Sequence, residues 1–238
     1  MGDAEKILHL HSALFWLPCT ILVFAATSVL YRRLGKLPLA NPTLLTIAVM
    51  STIVLVSGVP YNAYFEGVAV LHYLLGTTVV ALALPLYRNA GRMRGRGVGL
   101  AGGLVTGSLA SILIGLAVAI MSHASASTVL SLAPKSATAA VSMEISRLIG
   151  GVPSVTGALT ILTGIIGAVG GPYVLDVAGI RTPEARGFAM GVASHGIATA
   201  RAFSESEIAG SFGGLGMVLN AILTGLIVPP VVHLIGYG

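Results

Sequence analysis

Charged side chains are what this sequence most lacks: Asp, Glu, Lys and Arg make up 9% of its 238 residues, against about 25% in soluble domains. So few charges cannot cover a water-exposed surface of this size, which excludes an ordinary soluble globular protein. Cysteine is nearly absent as well. Cys19 is the only one, so no intrachain disulfide forms, and its place in an apolar run reads as a small buried hydrophobe. Enzyme signatures are missing: there is no HExxH, no Walker A loop and no Cys/His spacing suited to a metal. The sequence is therefore read as a non-enzyme without cofactor or metal. Strict alternation of apolar and polar residues is also absent from the apolar runs, which argues against a membrane β-barrel.

What is present is hydrophobic. Apolar residues make up 55% of the chain, and there are 31 glycines, a residue more frequent in membrane helices than in soluble ones. Lipid offers the backbone no hydrogen bonds, so spanning segments without barrel periodicity must be helical. The expected fold class is an all-α polytopic membrane protein, a single membrane domain over 1–238 with about seven to eight membrane elements.

Four spans are expected in the first half, over about 13–30, 38–56, 68–87 and 98–121. Asn41-Pro42 marks a helix start, and the stretch from Gly58 to Asn62 a turn. The net charge of +5 suggests nucleic acid until its distribution is seen. The basic residues gather in two short loops, Arg32, Arg33 and Lys36, then Arg88, Arg92, Arg94 and Arg96. Basic loops between apolar spans are cytoplasmic topology signals, and nucleic-acid binding is excluded. With both loops inside, the N-terminus falls outside. The N-terminal stretch does not read as a secretory signal, because the positive charges follow the first apolar run.

The fourth span has a small residue every four positions: Gly99, Gly103, Gly107, Ser111 and Gly115. This spacing lays a stripe down one helix face and predicts close helix packing, within the chain or in a homodimer.

The second half, about 122–238, is polar in two places. One segment, 122–151, contains Pro134, Lys135, Ser136, Thr138, Glu144 and Arg147. The other, 187–207, contains Ser194, His195, Thr199, Arg201 and Glu205. Two Gly-rich apolar spans, over about 152–177 and 208–234, surround the latter. Both polar segments are expected to be broken or re-entrant helices. If they crossed the membrane, Arg181 and Arg186 would fall outside, against the charge rule. The segments share the pattern A-T-A-x-x-x-x-E at an offset of 61 residues, which suggests an internal repeat.

Secondary transporters place substrate where helices are interrupted near the bilayer midplane, with half-helix N-termini facing anionic groups. Charges at membrane depth are costly and usually face a polar cavity or a partner. On this basis Lys135, Ser136, Thr138, His195, Thr199 and Arg201 are the candidate substrate-binding residues. Glu144 and His195 are candidates for proton coupling. Snorkelling at the membrane boundary is the competing reading for Lys135, Arg147 and Arg201. An ion pair with a Lys or Arg competes for Glu144.

The same stretches resemble the LrgB/CidB family. The resemblance is borne by Leu132-Ala-Pro-Lys-Ser-Ala-Thr-Ala-Ala-Val-Ser-Met-Glu-Ile-Ser, Ile149-Gly-Gly-Val-Pro-Ser and Ala193-Ser-His-Gly-Ile-Ala-Thr-Ala-Arg-Ala. Pro60-Tyr-Asn-Ala-Tyr-Phe-Glu-Gly in the first half adds to it. It covers roughly 38–230. That family includes bacterial proteins named for control of murein hydrolases, which act with a small holin-like membrane partner of the LrgA/CidA type. It also includes the plant plastidial glycolate/glycerate translocator and bacterial proteins linked to pyruvate transport. The resemblance implies a transporter of small monocarboxylates or, alternatively, a regulator of autolysis. With no transit-peptide pattern at the start, it implies a bacterial inner membrane, with lipid around the chain and a small carboxylate as substrate.

Overall fold

The computed structural model describes residues 3–35, 40–81 and 83–237, without the side chains of 3–13, 72, 75, 76, 78, 79 and 86. Lys36 of the first basic loop and the expected start of the second span at 38–39 lie outside the described residues. Among those described there are eleven α-helices and no strand. The chain forms two compact units, residues 1–83 and 84–238.

In the first unit, α1 (Asp3–Arg33) carries Pro18 inside it and ends on Arg32 and Arg33. Its portion Leu14–Arg33 is long and apolar enough to cross a membrane. α2 (Pro42–Ser57) begins where Asn41-Pro42 indicates. The Asn41 side chain accepts from the N–H groups of Thr43 at 2.9 Å and Leu44 at 3.3 Å, satisfying donors that the first turn leaves open. Gly58 ends α2 in the left-handed conformation, φ 67°. α3 (Tyr61–Gly67) and α4 (Ala69–Ala81) follow. Trp16, Met50 and Val68 form a small core, and the buried hydroxyls of Thr27 and Thr46 join α1 to α2 at 2.9 Å. α5 (Ala83–Arg88) continues beyond residue 82. The third expected span is thus seen as α4 and α5 on either side of residue 82, which lies outside the described residues.

The second unit holds α6 (Gly97–Met121), α7 (Ala126–Leu132), α8 (Ala139–Leu148), α9 (Pro153–Val177), α10 (Pro183–Glu205) and α11 (Glu207–Leu234). α6, α9 and α11 have 25, 25 and 28 residues. At about 1.5 Å per residue each clears the roughly 30 Å hydrocarbon core. Large apolar side chains cover the outside, among them Val98, Val177 and Leu234, more than four-fifths exposed. Such a surface suits lipid and not water.

Both polar segments turn back on themselves. In α10 the helix is interrupted at Ser194 (φ −147°, ψ 26°) and His195 (φ 45°, ψ −141°). Arg186 and Glu205, near its two ends, form an ion pair at 3.1 Å. A straight helix would hold residues so far apart in sequence about 28 Å from each other. α10 is therefore a helical hairpin with its tip at Ser194-His195. Its packing on α11 confirms the reversal. Gly187 meets Ala209 and Gly191 meets Gly213, advancing in step. Thr199 then meets Gly213 and Phe203 meets Gly210, in the opposite order.

α7 and α8 form a second such hairpin, with its turn at 133–138. The Ser142 hydroxyl donates to the Pro134 carbonyl at 2.7 Å across the turn. Beyond α8 the chain returns to α7, where Ser131 Oγ accepts from the Val152 N–H at 2.8 Å. The α7–α8 hairpin enters from the C-terminal end of α6 and the α10 hairpin from the N-terminal end of α6. α6 and α9 consequently run in opposite directions. α9 starts 56 residues after α6, and α10 starts 57 residues after α7. A long helix followed by a hairpin thus occurs twice, with inverted topology. The register is not that of the A-T-A pattern. At an offset of 57, Thr138 corresponds to His195 and not to Thr199, one helical turn away from the sequence match.

The re-entrant hairpins also remove the charge anomaly. Arg181 and Arg186 lie on the same side of the unit as the second basic loop. There Glu184 pairs with Arg92 at 3.2 Å and Arg96 at 2.9 Å, and Asn89 donates to Ser211 at 3.3 Å.

Candidate functional site

The two hairpin tips converge near the middle of the three long helices. Ser136, in the first tip, accepts through its carbonyl from the Asn220 side-chain amide at 2.9 Å. The Ser108 hydroxyl donates to Asn220 Oδ1 at 2.5 Å, so this α11 residue ties the first tip to α6. One turn earlier on α11, Met217 lies against Gly196 of the second tip. The tips thus sit about one helical turn apart, roughly 5 Å, along α11. α9 serves both hairpins as well. Thr156 donates to Ser146 of α8 at 2.7 Å. The Thr160 carbonyl, one turn on, receives His195 Nε2 at 2.8 Å. A carbonyl only accepts, so Nε2 is the protonated ring nitrogen in this contact.

The second tip is seated in glycines. A Cβ on Gly164 would lie 2.6 Å from His195 Cε1, and one on Gly167 would overlap Ser194. His195 holds a positive φ without being glycine, a conformation that the surroundings must impose. The Thr199 hydroxyl donates to the His195 carbonyl at 2.8 Å and is thereby engaged within its own arm.

Three buried hydroxyls lie on these elements with no hydrogen-bond partner among the described residues: Ser136 Oγ, Thr160 Oγ1 and Thr224 Oγ1. Ser136 is in the first tip, Thr160 holds the second tip through its carbonyl, and Thr224 follows Asn220 by one turn. An unsatisfied buried hydroxyl costs about 1–3 kcal/mol, so each of the three is a departure from the usual pairing of buried polar groups.

Lys135 supplies the charge. Its largely buried ammonium donates to the Ser111 carbonyl at 2.9 Å and to the Ser111 hydroxyl at 3.1 Å. No described carboxylate lies within ion-pair distance of it. The stripe on α6 makes room: a Cβ on Gly115 would lie 3.0 Å from Lys135 Cε, and one on Gly107 would lie 3.1 Å from Val192. Gly99 has open space beside it, and a Cβ on Gly103 would have Phe188 as its nearest neighbour, at 3.8 Å. Gly107, Ser111 and Gly115 thus face partners within this chain.

The structure gathers Lys135, Ser136, His195 and Thr199 around this frame. Thr138 stands at the start of α8, where its side chain makes no capping bond. Two candidates are placed elsewhere. Arg201 bonds Ser204 at 2.7 Å and pairs with Glu205 at 3.6 Å. It belongs to an ionic chain running through Glu205, Arg186, Asp176 and Arg181 at the base of the α10 hairpin. Glu144 forms an exposed pair with Arg147, both more than half exposed. Sequence reasoning overlooked Asn220, Thr160 and Thr224. Asn220 had a legible signal, an amide side chain in the middle of a long apolar run. Among the described residues no cluster of His, Cys, Asp and Glu is suited to a metal ion.

The family model described as LrgB-like matches residues 20–234. The chain is 32% identical to the Holin-like protein CidB of Staphylococcus epidermidis, over 90% of this chain and 96% of that protein. It is 33% identical to protein YwbG of Bacillus subtilis, over 86% and 91%. It is 30% identical to the Holin-like protein CidB of Staphylococcus aureus, over 90% and 96%. No solved structure matches the chain.

Proposed function

This chain belongs to the LrgB-like family, and we propose that it is a secondary transporter carrying small monocarboxylates, such as glycolate, glycerate, pyruvate or lactate, by alternating access. One observation supports this reading above the rest: two oppositely entering hairpins carry the Lys135 ammonium, without a described carboxylate partner, on elements that also bear the unbonded buried hydroxyls. A carboxylate arriving there neutralises the ammonium, and its oxygens, or a neighbouring hydroxyl or oxo group, satisfy Ser136, Thr160 and Thr224. The start of α8 at Thr138 adds uncapped backbone N–H groups and the positive end of a helix dipole. His195 holds the second tip closed on α9, Thr199 braces the His195 carbonyl, and His195 is the candidate proton carrier. Each hairpin gives the solute a side from which to enter, and alternate opening of the two carries it across. In this reading the chain lies in the bacterial inner membrane, with the basic-loop side cytoplasmic and the N-terminus outside.

The printed name of its relatives, Holin-like protein CidB, favours a second reading. In it the chain modulates murein hydrolase activity and autolysis together with a small holin-like membrane partner. That role has no need of a partly buried cation without a carboxylate partner or of unbonded buried hydroxyls. The two roles coexist if autolysis responds to carboxylate flux.

Uptake of labelled glycolate and pyruvate into proteoliposomes tests the choice. The wild type takes up at least one of them and Lys135→Met takes up neither. Absence of uptake by folded wild-type protein, alone and with the small partner, removes the transport reading. An effect on autolysis that persists in that case leaves the regulatory one.

A further inference from the structure

We propose that the cleft between α6 and the first arm of the α10 hairpin is the access path from the basic-loop side to the hairpin tips, with Glu184 and Arg96 as the gate at its mouth. The inference rests on the transport reading above and adds the route and the residues that close it.

The cleft has a volume of about 580 Å³, within the range of small-molecule sites. Its lining runs in one direction. Arg96, Thr182 and Glu184 are at the loop end, Gly99 and Gly103 lie along α6, and Val192 closes the inner end. Val192 is two residues before Ser194 of the tip. There the passage stops, because Val192 packs directly on Gly107, where a Cβ would stand at 3.1 Å.

The small-residue stripe on α6 changes use along its length. Gly107 and Gly115 are occupied by Val192 and Lys135, whereas Gly99 has nothing within 4 Å of a Cβ and Gly103 only Phe188, at 3.8 Å. Helices brought together purely for packing close such a gap, since an unfilled face forfeits its dispersion contacts. Here the glycines widen a passage instead.

The mouth is charged. Glu184, nearly buried, accepts from Arg92 at 3.2 Å and pairs with Arg96 at 2.9 Å. Two guanidinium groups on one carboxylate leave an excess positive charge at the entrance, and the adjoining Arg94 adds to it. A positive rim raises the local concentration of small anions. Breaking the Glu184–Arg96 pair frees the mouth and releases a guanidinium toward the entering carboxylate.

The test uses single cysteines in a full-length Cys19→Ser background, reconstituted in oriented vesicles. The probe is the anionic, membrane-impermeant sulfonatoethyl methanethiosulfonate. Gly99→Cys and Gly103→Cys have space for the new side chain, and Ile114→Cys, on the exposed outer face of the same helix, is the lipid-facing control. Gly103→Cys is expected to react from the basic-loop side only, about tenfold or more faster than Ile114→Cys, because the thiolate is the reactive form and needs water. Adding Glu184→Gln speeds the reaction further. Reaction at the Ile114→Cys rate, or from the opposite side, overturns the path. Reaction unaffected by Glu184→Gln overturns the gate. The labelling needs no transport: if it behaves as expected in protein that moves no carboxylate, the carboxylate assignment fails and the path stands.

Discussion

Asn220 and Ser136 are 84 residues apart in sequence, and the side-chain amide of the first donates to the carbonyl of the second at 2.9 Å, deep inside the second unit. With Ser108 donating to the same side chain at 2.5 Å, α6, the first hairpin tip and α11 are joined by one residue. Asn220→Ala leaves a carbonyl and a hydroxyl buried without partners. The expected cost is about 1–3 kcal/mol, read as a lowered unfolding temperature in detergent together with lost uptake. Asn220→Leu keeps a similar volume and can neither donate to Ser136 nor accept from Ser108, so it reproduces the loss. Unchanged stability and uptake in both variants would show that the tip is held by other contacts.

The glycines under the second tip provide an internally controlled experiment. Gly164→Ala places a methyl group against the His195 ring, and Gly167→Ala one onto Ser194. Gly170→Ala, on the same helix, meets open space. Alanine favours a helix over glycine by about 1 kcal/mol, so Gly170→Ala is neutral or stabilising. The other two lose about 1–3 kcal/mol through overpacking and increase hydrogen exchange around residue 195. Equal behaviour of the three would contradict the seating of the tip.

Lys135 separates binding from folding. A partly buried cation without an ion-pair partner adds little to stability, and an apolar replacement of similar volume is often neutral or better. Lys135→Met therefore keeps or raises the unfolding temperature while abolishing carboxylate uptake. A variant that transports normally would remove Lys135 from the site.

The hairpins make a topology prediction that a count of simple crossings does not. Arg181→Cys and Gly91→Cys label from one side of the membrane, and Ser122→Cys labels from the other. If both polar segments crossed, Arg181→Cys would label with Ser122→Cys.

The ionic base of the second hairpin is measurable by a double-mutant cycle. Arg186 is mostly buried between Glu205 at 3.1 Å and Asp176 at 2.7 Å. Arg186→Met and Glu205→Gln each destabilise the protein, and the double variant loses less than their sum, since neither charge is then left alone. Strict additivity would mean that the two halves of α10 do not meet through this pair.

Much of this architecture is legible in local sequence. The scarcity of charge and the long apolar runs determine a helical membrane protein, because lipid leaves the backbone no other way to satisfy its hydrogen bonds. Asn41-Pro42 and Gly58 set the ends of α2 through local capping and a left-handed φ. Pro134 and the His195-Gly196 pair mark the interruptions, the second of them one residue past the Ser194-His195 break, and the family resemblance follows from the residues around them. The small-residue stripe shows where helices come close, and nothing in it tells that Gly107 and Gly115 are filled while Gly99 and Gly103 face a cleft.

What only the tertiary structure decided is direction. An interruption in a helix reads the same in sequence whether the chain goes on across the membrane or turns back. The choice is made by contacts distant in the chain, Arg186 with Glu205 and Ser131 with Val152, that no local pattern encodes. The same reversals put Arg181 back on the side of the basic loop, place the true repeat one turn away from the A-T-A match, and bring Lys135, Ser136 and His195 to the middle of α6, α9 and α11. Arg201 and Glu144, equally prominent as charges in sequence, are turned to a hairpin base and to the exterior. The composition determined that buried polar groups in this chain would be few and costly, and the folded geometry decided which of them meet.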